Sequence, residues 1–361
     1  MLFLTRYFGV TGSDAERSLA GEQSVIEEIV EKVLVMQTNA AAQQHRPLGR
    51  GTHAKGVCAH AQFEVFDVTV GRDRGLAVRL ARGMFATPGV YPAIVRFANS
   101  DPQINSDFKA DVRSLSFSVD PTRDGTAVPD AKVSRQDFSM QNATTLPIND
   151  ARAFLATMKL LTASKPAAGL WSLPFKDKLR VLRTLALAQL QARQTIKPYQ
   201  QLRYWSTVPF RHGPSDVVKQ AATPSPDNPA RPLQKSNPNG LQDELIRHLN
   251  EDSTMSSFDF GLQFLDASRM TYWGKRRDAN FWIENASIAW HEAEAPVHTV
   301  ARLTLLAKSQ LPLEAGEATY FDVTGHATPD SMPLGSINRA RWHGEVASRK
   351  ARLRADSSGA P

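Results

Sequence analysis

Three groups of side chains in this sequence have the types and spacing for chemistry. His53 stands in the run Arg50-Gly51-Thr52-His53-Ala54-Lys55-Gly56, just ahead of an alternating apolar segment. An imidazole titrates near neutrality and can take and return a proton, although a lone histidine beside a strand is more often a packed or surface residue. Asn142 closes the run Asp137-Phe138-Ser139-Met140-Gln141-Asn142, where an asparagine by itself reads as a turn residue. Arg50, Arg96, Arg341 and Arg352 supply fixed guanidinium forks for carboxylates and other anions. Cys58 is the one cysteine, which excludes an internal disulfide, and no CxxC, CxxH or HExxH pattern supplies a zinc-site signature.

Residues 336 to 354, SINRARWHGEVASRKARLR, are dense in arginine and read as a basic helix. At about 100° per residue, Arg341, Glu345, Ser348 and Arg352 fall on one stripe within about 60° of each other. Such a face wants an ionic partner or a buried site. A solvated basic surface and nucleic-acid binding are the other readings of a run like this. His343 is turned about 200° from Glu345, onto the other side of the helix.

The elements that must position these groups are legible as periodicities. The chain has 361 residues, 42% hydrophobic and 22% charged, with a net charge of +7, which is globular composition and permits an anionic ligand. No stretch approaches the ~18 apolar residues of a membrane span. The start, MLFLTRYFGV, is interrupted by Arg6 and lacks a small-residue cleavage site, so it fails as a signal peptide and the cytoplasm is expected. Helical spacing marks 22 to 38, 151 to 163, 176 to 193 (Leu179, Leu182, Ala186, Leu190) and 241 to 249. Alternation predicts strands at 61 to 70, with a phase slip after Val65, and at 113 to 119, 258 to 265 and 300 to 307. The proline-rich stretch 222 to 240 reads as a connector. Strands flanked by blocks of helix argue for an α+β protein with an antiparallel sheet or barrel. Lys55 reads as a solvated lysine, and Trp205 and Trp290 as core.

Four of these segments, in order, resemble the haem catalase superfamily. Arg50 to Gly56 leading into Phe63-Glu64-Val65 is similar to its R-x-x-H-A-K-G and F-E-V. Val95-Arg96-Phe97-Ala98-Asn99 and Asp111 to Phe117 resemble V-R-F-S and D-x-R-G-F-A-x-K-F. Asp137 to Asn142 resembles the segment with the distal asparagine, and the last helix resembles R-x-x-x-Y-x-x-T-x-x-x-R, with Arg341, Ser348 and Arg352 in register. The resemblance covers roughly residues 22 to 354 and is to the compact, catalase-related branch. It implies a single domain over 1–361: a helical segment to 45, a catalase-like antiparallel β-barrel with helical insertions over 46–320, and a C-terminal helix and tail over 321–361. It also implies haem b, with His53 and Asn142 catalytic and His53 pointing into the barrel cavity. Arg50 and Arg96 would meet the propionates, Arg341 and Glu345 would lie on the axial side, and Arg352 behind the axial ligand. The implied activity is that of a peroxidase or catalase-type oxidoreductase on hydrogen peroxide or an organic or lipid hydroperoxide, in a chain able to form a homo-oligomer. Nucleic acid is not an expected partner, because propionates and Glu345 account for the basic tail.

Three positions depart from the pattern. Glu345 stands where the family has its axial tyrosine, which predicts weak turnover. Ala98 replaces the serine that orients the distal histidine, leaving Asn99 or Ser100 for that bond, and Ala143 to Pro147 lack an aromatic pair. The alternative reading is a non-enzymatic catalase-fold binding protein with weak or no haem.

Overall fold

Eight segments of alternating apolar residues build the centre of the structure, a computed structural model that describes residues 16–120, 122–123, 126–127 and 135–358. They are β1 (Gly56–Val65), β2 (Gly89–Asn99), β3 (Arg113–Val119), β4 (Gln136–Gln141), β5 (Tyr204–Trp205), β6 (Asp216–Pro224), β7 (Ser256–Phe264) and β8 (Val297–Gln310). Each pairs antiparallel with the next in chain order, and β8 returns to β1 with Phe63 opposite Leu303, closing a barrel. An eight-stranded barrel is just wide enough for side chains to fill it. Here aromatic rings do so: Phe117 stacks on Phe138 at 4.5 Å, and Phe260 meets Phe138 edge-on at 5.1 Å. The barrel interior is therefore packed core, and the expectation that His53 points into a cavity inside it is corrected.

Nine α-helices surround the barrel among the described residues: α1 (Glu22–Gln43), α2 (Arg74–Leu80), α3 (Ala151–Leu161), α4 (Pro166–Ser172), α5 (Phe175–Ala192), α6 (Gly240–Asn250), α7 (Ala279–Glu284), α8 (Leu313–Ala318) and α9 (Ser336–Ser358). Ile26 and Ile29 of α1 pack with Ala151 and Leu155 of α3 and Ala340 of α9. Arg339, buried in α9, ties this layer down by ion pairs to Glu16, Glu22 and Glu284.

Two expectations change. The first strand ends at Val65, because the Asp67 carboxylate accepts from the Thr69 N–H at 2.9 Å and turns the chain. Its register shift lies earlier, between Ala59 and Ala61 against β8. Lys55 is buried rather than solvated, with its Nζ 2.8 Å from Asp107, whose other oxygen accepts from the Leu241 N–H that opens α6. Trp205 and Trp290 are core, as expected.

Candidate functional site

Because Val95, Phe97, Leu115, Phe117, Phe138 and Met140 point into the barrel, the residues between them point out. Across β1 to β4 this outer face aligns Gly56, Ala98, Ser114 and Gln141 in one row, and Cys58, Arg96, Ser116 and Ser139 in the next. Most are small, so they form a flat floor. Helix α9 lies over it, with Arg341 Nη2 donating to Ser139 Oγ at 2.7 Å. The loop before β1 is clamped to the same helix. A Cβ on Gly51 would sit 2.9 Å from Ser348 Oγ, and Gln37 of α1 donates to the carbonyls of Gly49 and Ser348 at 2.6 and 3.3 Å.

That loop carries His53 in the left-handed region at φ 58, a conformation non-glycine residues rarely adopt. Its N–H donates to the Ser100 carbonyl at 3.1 Å and its Nδ1 lies 3.0 Å from Thr52 Oγ1. Burial, and then the charges of Arg96, Arg341 and Arg50, push its pKa down to about 3, so the ring is neutral. The side chains expected to orient it are engaged elsewhere. Asn99 donates to Asp107 at 2.8 Å and accepts from Tyr199 at 2.9 Å, and Ser100 Oγ donates to Asp111 at 2.5 Å. Thr52 holds the ring instead.

On α9, Glu345 takes the Arg341 guanidinium, Nε to Oε1, at 2.5 Å. Burial raises its pKa, Arg341 opposes that, and Asp322 and Asp137 add to the rise. Yet 36% of the Glu345 side chain remains accessible. Glu345 and His53 are both half-buried, and Arg341 acts on both groups while it holds Ser139 of the floor.

One end of the floor is strongly cationic. Arg50 and Arg96 converge on Glu317 of α8, at 3.3 and 3.1 Å from its two oxygens. Arg50 also donates to the carbonyls of Gly316, Glu317 and Thr319. Its pKa falls to about 10 through burial and then the charge of Arg96, opposed by Glu317, with Arg352 adding to the fall. Arg96 Nε is buried without an acceptor among the described residues.

The structure therefore brings Arg50, Arg96, His53, Arg341 and Glu345 together and places Arg352 within electrostatic range of Arg50. It engages Asn142 elsewhere: the side chain accepts from the Arg113 N–H at 2.7 Å, donates to Gln194 at 3.2 Å and lines a groove of about 330 Å³ with Thr144 and Trp205. Gln141, one residue earlier, shares the strand face of Ser139. Helix α9 is continuous through Gly344, so His343 stays on its other side. Sequence reasoning missed Glu317, Ser139 and Gln141. Alternation through Ser139 would have signalled the last two, whereas nothing local signalled Glu317.

Solved structures similar to this one include catalases. A fungal catalase superposes with a TM-score of 0.64 at 14% identity, over 88% of this chain and 62% of its own. Catalase A from Saccharomyces cerevisiae gives 0.63 at 16% identity over 88% and 63%, and a bacterial catalase 0.56 at 15% over 87% and 59%. The chain thus spans about 60% of the length of these proteins. No family model and no curated protein matches by sequence. The closed eight-stranded antiparallel barrel with surrounding helices is the catalase-like α+β fold. No helix among the described residues is long and apolar enough to cross a membrane.

Proposed function

We propose that a hollow lies between the barrel floor and α9 and binds an iron porphyrin, and that the protein uses it as a weak peroxidase or catalase-type oxidoreductase on hydrogen peroxide or an organic hydroperoxide. The observation that carries this reading is that Arg341 pairs with Glu345 and lies within electrostatic range of His53, beside the outer floor of a catalase-like barrel. The residues present suit the group. The small side chains of the floor suit a flat ligand, and Glu345 Oε2 has no hydrogen-bond partner among the described residues, which leaves an anionic oxygen for a ferric ion. Arg50 and Arg96 would receive the porphyrin carboxylates by exchange with Glu317, and the unpaired Arg96 Nε is a donor waiting for an acceptor.

Bound iron porphyrin supplies the redox chemistry of O–O cleavage. The chain's own residues handle the proton. With Nδ1–H donating to Thr52 Oγ1, His53 Nε2 is free to accept the peroxide proton and return it to the other oxygen. A ring held neutral far below its usual titration range is in the accepting form throughout the physiological range. Gln141 shares the Ser139 face, and its Nε2 would have to release the Thr145 carbonyl, as Asn142 would have to release Gln194, before either amide could hydrogen-bond the peroxide. Glu345 is a poorer electron donor than a phenolate, and Arg341 withdraws more of its charge, so weak turnover is expected.

A second reading, a catalase-fold protein without haem, is favoured by the closed set Arg50–Glu317–Arg96. Titrating the purified protein with haemin while recording the absorption spectrum separates the two. The first reading expects saturable one-to-one binding, tighter binding and a high-spin ferric phenolate spectrum in Glu345→Tyr, and peroxide turnover per haem reduced on the order of 10²-fold in His53→Ala. Absence of saturable binding in both wild type and Glu345→Tyr leaves only the second.

A further inference from the structure

Helices α4 and α5 present an apolar edge to the outside. Trp171, Phe175, Leu179, Leu182 and Leu190 are 77, 73, 53, 51 and 67% exposed. The spacing that marks Leu179, Leu182, Ala186 and Leu190 as an apolar stripe would ordinarily mark a buried face, but α5 uses another one for packing. Val181 and Thr184 are buried, and Val181 packs with Ala156 and Leu160 of α3. At about 100° per residue, Phe175, Leu179, Leu182 and Leu190 lie within about 80° of one another, roughly opposite that packed face. Such an exposed, contiguous patch marks an interaction site.

The borders of the stripe are basic. Lys176 and Arg183 flank one side, and Lys178 flanks the other with its Nζ 5.3 Å over the Trp171 ring. Asp177 is the one acidic residue in α5, and Arg180 pairs with it at 2.6 Å. We propose that this edge docks the protein on an anionic lipid surface, with α5 lying in the plane of the membrane, its leucines and Phe175 among the acyl chains, Trp171 at the headgroup level and the flanking cations against lipid phosphates. An apolar stripe with basic flanks and an aromatic end is the pattern of helices that lie in the interface. Charge selects lipid over a second copy of the chain. A two-fold contact through this stripe would set Lys176, Lys178 and Arg183 against their own duplicates, with Asp177 already engaged. The inference stands on exposure and charge and is independent of the reading of the hollow.

The test is co-sedimentation of the full chain with phosphatidylcholine vesicles, with and without phosphatidylserine, alongside tryptophan emission and sedimentation velocity without lipid. Wild type is expected on the anionic vesicles, with a blue shift and with release by salt. The double variant L179Q/L182Q is expected to bind on the order of 100-fold more weakly. K176Q/R183Q is expected to bind roughly 30-fold more weakly. All four residues are exposed, and circular dichroism checks that both variants fold. Equal binding to neutral and anionic vesicles, or undiminished binding by L179Q/L182Q, overturns the proposal. So does failure to bind either vesicle, and self-association abolished by L179Q/L182Q would then assign the edge to a second copy.

Discussion

Replacing Glu317 by glutamine isolates the contact that closes the cationic end of the floor. Without the carboxylate, Arg50 keeps the carbonyls of Gly316, Glu317 and Thr319, whereas Arg96 keeps only Ala54 O at 3.5 Å. The Glu317 side chain is 49% exposed, so solvent screens both pairs. Each is then worth about 0.5 to 1 kcal/mol. The two guanidiniums also repel, as the depressed Arg50 pKa records, and the variant leaves that repulsion without compensation. Glu317→Gln should therefore cost about 1 to 2 kcal/mol of stability, a factor of about 5 to 30. A ligand carboxylate no longer has to displace Glu317, so porphyrin affinity should rise by a similar factor. Urea denaturation and haemin titration, run at low and high salt, measure the two effects, and both should shrink with salt. Unchanged stability together with unchanged affinity would refute the arrangement. Lower stability without tighter binding would show that the ligand carboxylates do not reach Arg50 and Arg96.

Gly51→Ala places a Cβ 2.9 Å from Ser348 Oγ, so it should destabilise by about 1 to 2 kcal/mol and weaken porphyrin binding, and Ser348→Ala in the same chain should restore both in paired titrations. The His53 pKa lies at about 3, below its ordinary 6.5, so its contribution is fully present above pH 6.5 and is lost as pH falls from there toward 3. By about pH 4 the loss is at most about 3 kcal/mol, reduced because the ring is partly accessible. His53→Asn, which tolerates the left-handed backbone, should flatten the curve, and parallel urea midpoints for the two proteins between neutral and about pH 4 would contradict the burial of the ring. Phe138→Ala opens the aromatic interior beside Phe117 and Phe260 and should cost about 3 to 5 kcal/mol in denaturant titrations, independently of ligand.

Local periodicity carried much of this architecture. Alternation located β3 and β7, and spacing of 3.6 located α1, α3, α5 and α6, because each period follows from the backbone geometry of a single segment. The same geometry put Arg341 beside Glu345, one turn apart on α9, before any partner was known. What alternation left open is which of a strand's two faces meets packed core. Closure of the barrel decided it: the phenylalanines fill the inside, and the intervening Ala98, Ser116 and Ser139 become the floor beneath α9. It also put Ser139 and Gln141, rather than Asn142, on the side of Arg341. The stripe on α5 was legible as apolar, but only the packing of Val181 on α3 determined that it lies outside. Lys55 became buried because Asp107 is drawn to the start of α6, more than a hundred residues along the chain. Glu317 left no trace in the sequence, since it meets Arg96 across 221 residues, and a contact at that separation is set by how the barrel and helices close rather than by the period of any segment.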